Sequence, residues 1–295
     1  MNLVEIFNKF PTQKDCIQHL EKIKWKGTPT CYYCKSDRVT SLSSELRHHC
    51  NNCNTSFSVT VGTIFHQTHL PLQKWFLAIT LILNAPKGIS SRQIGRDINV
   101  TKDTAWRMQM QVRKAMVETP SLLLGVVEMD ETYIGARRPR KSSKDKDDQG
   151  NYPKNPRGRG TKNKTPVVGM VQRGGKVIAK KQTELKFADL KNTAIAHIDF
   201  ENTVLMTDDY RGYIPFKHLL PHLTVNHSQK QWANGKTHTN TIESFWALLK
   251  RGIVGQYHHL SDKHLNRYIT EFCFKYNNRK NQNVFNELLN NALGA

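Results

Sequence analysis

The sequence predicts an α/β protein in which a mixed sheet flanked by helices follows two smaller N-terminal modules. Three observations predict it. Between residues 122 and 226, apolar runs of strand length alternate with stretches of helical period. Two of those runs lead into acidic residues, Asp130-Glu131 and Asp208-Asp209. Before residue 119, apolar positions recur at helical spacing around two tight cysteine pairs.

A chain of 295 residues has room for two or three domains and a sizeable core. A hydrophobic content of 38% and a mean hydropathy of −0.60 suit a soluble protein. The longest apolar run, residues 75–83 with Thr80 inside it, is too short to cross a bilayer. The N-terminus lacks the basic start and small-residue cleavage site of a signal peptide, so a cytoplasmic protein with no membrane partner is expected. Lys and Arg number 44 against 24 Asp and Glu, for a formal net charge of +20 and a pI near 9.8. Solubility alone needs a net charge of only about 2 to 8 for a small domain. The excess implies a polyanionic partner, and nucleic acid is the commonest.

Leu3, Ile6, Phe7 and Phe10, then Cys16, Ile17, Leu20 and Ile23, predict two short helices split at Pro11-Thr12, with Thr12 as N-cap. Cys31-Tyr-Tyr-Cys34 and Cys50-Asn-Asn-Cys53 follow, with fifteen residues between the pairs. Two such pairs bring four thiolates to one tetrahedral Zn²⁺, a closed site that holds a fold and does no chemistry. Two disulfides are the alternative, disfavoured in a cytosol. Residues 71–84 predict an apolar helix. Residues 90–98, a turn at Asn99-Val100 and residues 101–108 predict helix, turn and helix around Ile94, Ile98, Val100 and Trp106. Lys102, Arg107 and Arg113 on the second helix give it the layout of a helix-turn-helix reader of DNA.

A boundary falls at residues 119–121. Residues 122–134 predict a buried strand, and residues 166–172 and 176–180 a hairpin across Arg173-Gly174-Gly175. A helix over 187–198, a strand over 202–206, a helix over 210–220 and a strand over 223–226 follow. Residues 136–165 are almost free of apolar side chains. They predict a basic loop, with Arg137, Arg138 and Arg140, that orders on a nucleic-acid backbone. In residues 239–252, Ile242, Phe245, Leu248 and Leu249 share one helical arc, and Glu243, Ala247, Lys250 and Arg251 the opposite one. Thr239 or Asn240 caps its start. Helices over 261–277 and along the tail complete the chain.

Asp130, Asp208 and Glu243 stand out by position, two ending strands and the third facing out from a helix. Carboxylates brought together are costly as bare charges and stable around divalent cations, and hard oxygen ligands at few points suit Mg²⁺. Two such ions about 3.5–4 Å apart activate a nucleophile on one side of a phosphodiester and stabilise the leaving oxygen on the other. The period of two puts Glu128 and Asp130 on one strand face and Glu131 on the other, which favours Asp130 over Glu131. Asp208 is favoured over Asp209, since turn acids are common as caps. His238 and Asn240 serve either as partners of the Glu243 carboxylate or a phosphate, or as helix caps.

Glu128-Met-Asp-Glu-Thr-Tyr-Ile-Gly135, Thr207-Asp208 and residues 238–252 resemble the DDE transposases of bacterial insertion sequences. The group in question has an N-terminal zinc ribbon and a ribonuclease-H-like catalytic domain, and the resemblance covers nearly the whole chain. It implies an enzyme that binds double-stranded DNA at the element's terminal inverted repeats, cleaves strands and joins 3′ ends to a target by two-metal phosphoryl transfer. It implies that Asp130, Asp208 and Glu243 bind two Mg²⁺ or Mn²⁺ ions, and that Lys250, beside Arg251, contacts the element's end. A homodimer or larger assembly in the synaptic complex follows from the same resemblance. The expected domains are N-terminal helices (1–24), zinc ribbon (25–66), helix-turn-helix (67–119) and catalytic domain (120–295, interrupted by the basic loop 136–165). Two rival functions share these features: a non-catalytic DNA-binding regulator, and a metal-dependent nuclease that cuts without joining.

Overall fold

The computed structural model describes residues 1–119, 121–135, 164–225 and 238–294. By its contacts the chain forms two units, one of Met1–Thr119 with Thr270–Ala295 and one of Pro120–Ile269.

The first unit begins with α1 (Leu3–Lys9) and α2 (Gln13–Trp25). Each starts at a capping box, in which Asn2 and Glu5, or Thr12 and Asp15, exchange side-chain and backbone hydrogen bonds. A three-stranded antiparallel sheet follows, β1 (Val39–Leu42), β2 (Arg47–Cys50) and β3 (Thr55–Phe57). Then come α3 (Leu72–Leu83), α4 (Ser91–Asp97) and α5 (Lys102–Ala115), the last two capped by Ser90 and Thr101. Asn99, in the turn between α4 and α5, takes a left-handed φ of 52°. A Cβ on Gly95 would meet the Val100 carbonyl oxygen at 2.8 Å, so this close turn requires glycine there.

Ile6, Phe10, Leu20, Phe76, Ile79, Met108 and Val112 share one core with Phe285, Leu288 and Leu289 of α9 (Val284–Gly294). The sequence predicts this last helix but groups it with residues 120–295, whereas its contacts lie with the N-terminal helices. Phe285 meets Phe76 edge-on at 5.6 Å. An apolar stripe records that a helix is buried, but not against what.

Two residues of α5 depart from expectation. Trp106, expected in the core, is 41% exposed, because the inward face of the helix runs through Ala105, Met108, Val112 and Ala115. Arg113, expected on DNA, is only 2% exposed. Its Nε donates to Glu271 Oε2 at 2.7 Å. Lys275 Nζ donates to Glu271 Oε1 at 2.5 Å, both residues lying on α8 (Leu265–Asn277). Burial alone would raise the Glu271 carboxyl, but Lys275 and Arg113 outweigh it and hold it at about 2. Arg113 is therefore spent on the interior of its own unit.

The second unit is a five-stranded mixed sheet of β4 (Leu123–Gly135), β5 (Lys164–Gln172), β6 (Val177–Lys181), β7 (Ile198–Asp208) and β8 (His222–Val225). Its order is β6-β5-β4-β7-β8. β5 is antiparallel to both neighbours, and β4, β7 and β8 run parallel. This is the mixed sheet that the resemblance implies for a ribonuclease-H-like domain. Helix α6 (Phe187–Ile195) and a 3₁₀ turn (Ile214–His218) cover one face over Val127, Met129, Leu190, Leu205, Tyr213 and Phe216. Helix α7 (Asn240–Gly252) covers the other with Ile242, Phe245, Trp246 and Leu249. A Cβ on Gly169 of β5 would meet the Trp246 ring at 2.6 Å, so the bare glycine admits the indole against the sheet. β7 begins at Ile198 rather than residue 202, because Ile198 already pairs with Leu123 of β4. The expected basic loop, with Arg137, Arg138 and Arg140, lies outside the described residues apart from its last two positions, which belong to β5.

Replacing Glu271 by Gln strands two buried cations and is expected to cost about 3–5 kcal/mol of stability at pH 7, measured by chemical denaturation. The folded carboxyl titrates near 2 against 4.5 for an unperturbed glutamate. Its contribution is therefore complete above pH 4.5 and is lost as pH falls toward 2, and the Glu271→Gln protein should lack this part of the acid sensitivity.

Candidate metal centres and active site

The two cysteine pairs sit at turns of the small N-terminal sheet, Cys50 closing β2. Cys31, Cys34, Cys50 and Cys53 each offer a sulfur, and the four lie within 4.8 Å of one another. Cys31 and Cys53 sulfurs are 3.7 Å apart, and those of Cys34 and Cys50 3.5 Å. A tetrahedral ion with bonds of about 2.3 Å separates its sulfurs by about 3.8 Å, so the donors present fit one Zn²⁺. Cys31, Cys50 and Phe57 form a small buried cluster, with Trp25 packed against it, too little core to hold a sheet of this size without the ion.

The second centre is built by strand register. Glu128 of β4 lies beside Met206 of the parallel β7, so Asp130 and Asp208, each two residues on, come level just past the last β4–β7 pair. Asp208 ends β7 as expected, whereas Asp130 does not end β4, which runs on to Gly135 by pairing with β5. Asp130, Glu131 and Asp208 bring carboxylate oxygens within 4.8 Å of one another. Strand alternation turns Asp130 toward α7, where Trp246 Nε1 donates to its Oδ2 at 3.0 Å. It turns Glu131 toward the opposite face, where the Tyr213 hydroxyl donates to its Oε2 at 2.8 Å. Burial, reinforced by the charges of Glu131 and Asp208, pushes the Asp130 carboxyl up to about 8. Burial likewise raises Glu131, with Asp208 adding to it and the Tyr213 hydrogen bond opposing it. Carboxylates crowded so closely resist ionising together, and a divalent cation is what reverses that penalty.

Glu243 is not in this cluster. It stands exposed in the first turn of α7, and its Oε1 accepts from the Thr239 hydroxyl at 2.9 Å. The helix that carries it is nevertheless fastened to the Asp130 strand at two points. One is Trp246. The other is Glu128, fully buried, whose Oε2 accepts from the backbone N–H groups of Thr241 at 2.8 Å and Ile242 at 3.0 Å. Its Oε1 accepts from the Thr241 hydroxyl at 2.9 Å and from Arg173 Nε at 2.7 Å. Arg173 Nη2 also donates to the His238 carbonyl at 2.8 Å and to His238 Nδ1 at 3.0 Å.

Thr239, expected as a cap, makes no side-chain cap to the helix; Glu128 takes that role from the strand. The sequence places Glu128 on the Asp130 face without a partner and assigns Trp246 no role at the site. The period of two was the available signal for Glu128; nothing local pointed to Tyr213 or Arg173. Of the basic residues, Lys250 and Arg251 are exposed on the outward side of α7, and Lys102 and Arg107 near the start of α5. No helix among the described residues is long and apolar enough to cross a membrane.

Comparison with known proteins adds to this geometry. Residues 122–277 match the family model described as ISXO2-like transposase domain. Residues 11–56 match the one described as transposase zinc-ribbon domain. A protein of Halobacterium salinarum, described as an uncharacterized protein in transposable element ISH50, is 29% identical over 254 residues, covering 82% of this chain and 83% of its own length. Among solved structures, a chain of a pre-cleavage Mos1 transpososome overlaps 72% of this chain and 76% of its own, at 12% identity and a TM-score of 0.27. That overlap is too loose to carry an argument.

Stripping the zinc with a strong chelator is expected to release about one equivalent per chain and to unfold the ribbon, seen as loss of near-ultraviolet circular dichroism. Cys50→Ser should lower zinc content and give the same spectral loss.

Proposed function

The chain belongs to the ISXO2-like transposase family and carries a DDE-type catalytic domain, and from that premise we propose that it cuts and joins DNA at the ends of an insertion sequence. It binds the terminal inverted repeats, cleaves strands there and transfers the 3′ ends to a target, working in the cytoplasm as a dimer or larger assembly. The single observation that carries this is the convergence of Asp130 and Asp208 just past the last paired residues of adjacent parallel strands, beneath a helix that presents Glu243.

Asp130, Asp208 and Glu243 would hold two Mg²⁺ or Mn²⁺ ions, and Glu131 stands close enough to Asp130 and Asp208 to share in holding one. When bound, such ions activate the attacking hydroxyl and stabilise the leaving oxygen of an in-line displacement. Trp246 holds one oxygen of Asp130 and leaves the other for a ligand role. Tyr213 orients Glu131 in the same way from the other face. Glu243, whose Oε1 accepts from the Thr239 hydroxyl, would be the third residue to hold the ions. Lys250 and Arg251, on the face of α7 shared with Glu243, neutralise backbone phosphates of the element's end. The α4–turn–α5 pair acts as the helix-turn-helix reader, with Lys102 and Arg107 directed at the groove or its phosphates. The +20 charge supplies the long-range attraction.

Asp130→Asn, Asp208→Asn and Glu243→Gln are each expected to slow cleavage of end-containing DNA by about 10³-fold or more, equivalent to about 4 kcal/mol of transition-state stabilisation. Gel-shift binding of the ends should persist in all three. Cleavage at wild-type rates in any of them removes that residue from the metal site, and cutting without joining in a strand-transfer assay would identify a nuclease instead. Lys102→Ala and Lys250→Ala should each reduce the slope of log affinity against log salt by about 1.

A further inference from the structure

We propose that Glu128 is the positioning residue of the metal site: it fixes where Glu243 stands relative to Asp130, and so governs divalent-metal binding without itself meeting metal or DNA. The inference rests on the assignment of Glu243 as a ligand. A carboxylate with no exposure at all is expensive unless every oxygen is answered. Glu128 is answered by four donors within 3.0 Å, three of them from the opening turn of α7. That turn is where a helix frays, because its N–H groups lack intrahelical acceptors. It is also where Glu243 sits, and the N-cap Thr239 sends its hydroxyl to the Glu243 carboxylate and makes no side-chain cap to the helix N–H groups.

The strand therefore caps the helix. Glu128 takes up two free N–H groups and places a negative charge at the positive end of the helix dipole. Two residues further along β4, Asp130 receives Trp246 from the middle of the same helix. Glu243 lies between these two fastenings, one residue past Ile242 and three before Trp246. Arg173 extends the clamp by holding the His238 carbonyl in the segment that enters α7. Removing the Glu128 charge leaves the Trp246 fastening in place but frees the turn bearing Glu243.

The test titrates Mn²⁺ alone into the full-length, zinc-loaded protein without DNA, read by electron paramagnetic resonance. Wild type is compared with Glu243→Gln, Glu128→Gln and the double variant. Each single change is expected to weaken Mn²⁺ binding about 10-fold. The double variant should bind no more weakly than Glu243→Gln alone, since the two residues act as one. Should Glu128→Gln fail to fold, Thr241→Val replaces it, removing one donor while the backbone donors remain; its expected loss is about 3-fold, absent when Glu243 is already Gln. Wild-type Mn²⁺ affinity in Glu128→Gln or Thr241→Val, beside a clear loss in Glu243→Gln, overturns the proposal. Wild-type affinity in Glu243→Gln overturns the ligand assignment instead, and this inference falls with it.

Discussion

A charge buried beyond the reach of water must be matched within hydrogen-bond distance, and in the second unit Glu128 is matched by a helix. Its carboxylate binds the first turn of α7 and the Arg173 guanidinium at once. The central strand and the helix on its face are thereby held to one register. A second fastening lies further along the same helix: Trp246 reaches Asp130, and the indole fits because residue 169 has no side chain.

Where β4 and β7 stop pairing, the electrostatics run the other way. Asp130, Glu131 and Asp208 come together, and the first two are each held by a neutral donor, Trp246 or Tyr213. Neutral donors orient carboxylates without discharging them. The opposite solution appears in the first unit, where Glu271 is enclosed by Arg113 and Lys275 and is held fully ionised. One acid group is ionised and structural, matched by cations; the other is crowded and held back from ionising, a penalty that a bound divalent cation would reverse.

Features that depend on near neighbours in sequence were legible. The paired cysteines announced the ribbon, Thr12 announced the start of α2, and Arg173-Gly174-Gly175 announced the hairpin. Asp130 and Asp208 were legible because an acid after an apolar run is locally anomalous. What escaped was set by distant partners. Arg113 defaulted to solvent because Glu271, which makes its burial tolerable, is 158 positions away. Glu128 is joined to Thr241 and Ile242 across more than a hundred residues. Trp106 was assigned inward by its size, yet the inward arc of α5 was already filled by smaller side chains. Residues 210–220 carry apolar spacing that suits a helix, but Pro215 begins a shorter 3₁₀ turn, which suffices to deliver Tyr213 to Glu131.

The membership of α9 in the first unit bears on how the chain is made. Phe285, Leu288 and Leu289 close a core whose other walls come largely from residues before 119, and the ribosome reaches them only after the whole of the sheet-forming segment. During synthesis the N-terminal helices therefore emerge with an open apolar groove, while the sheet-forming segment can already gather its own partners. The unit whose helices are made first is thus completed only after the whole sheet has been made, and a nascent chain paused before α9 would carry sheet strands already able to pair and a helical domain still unfinished.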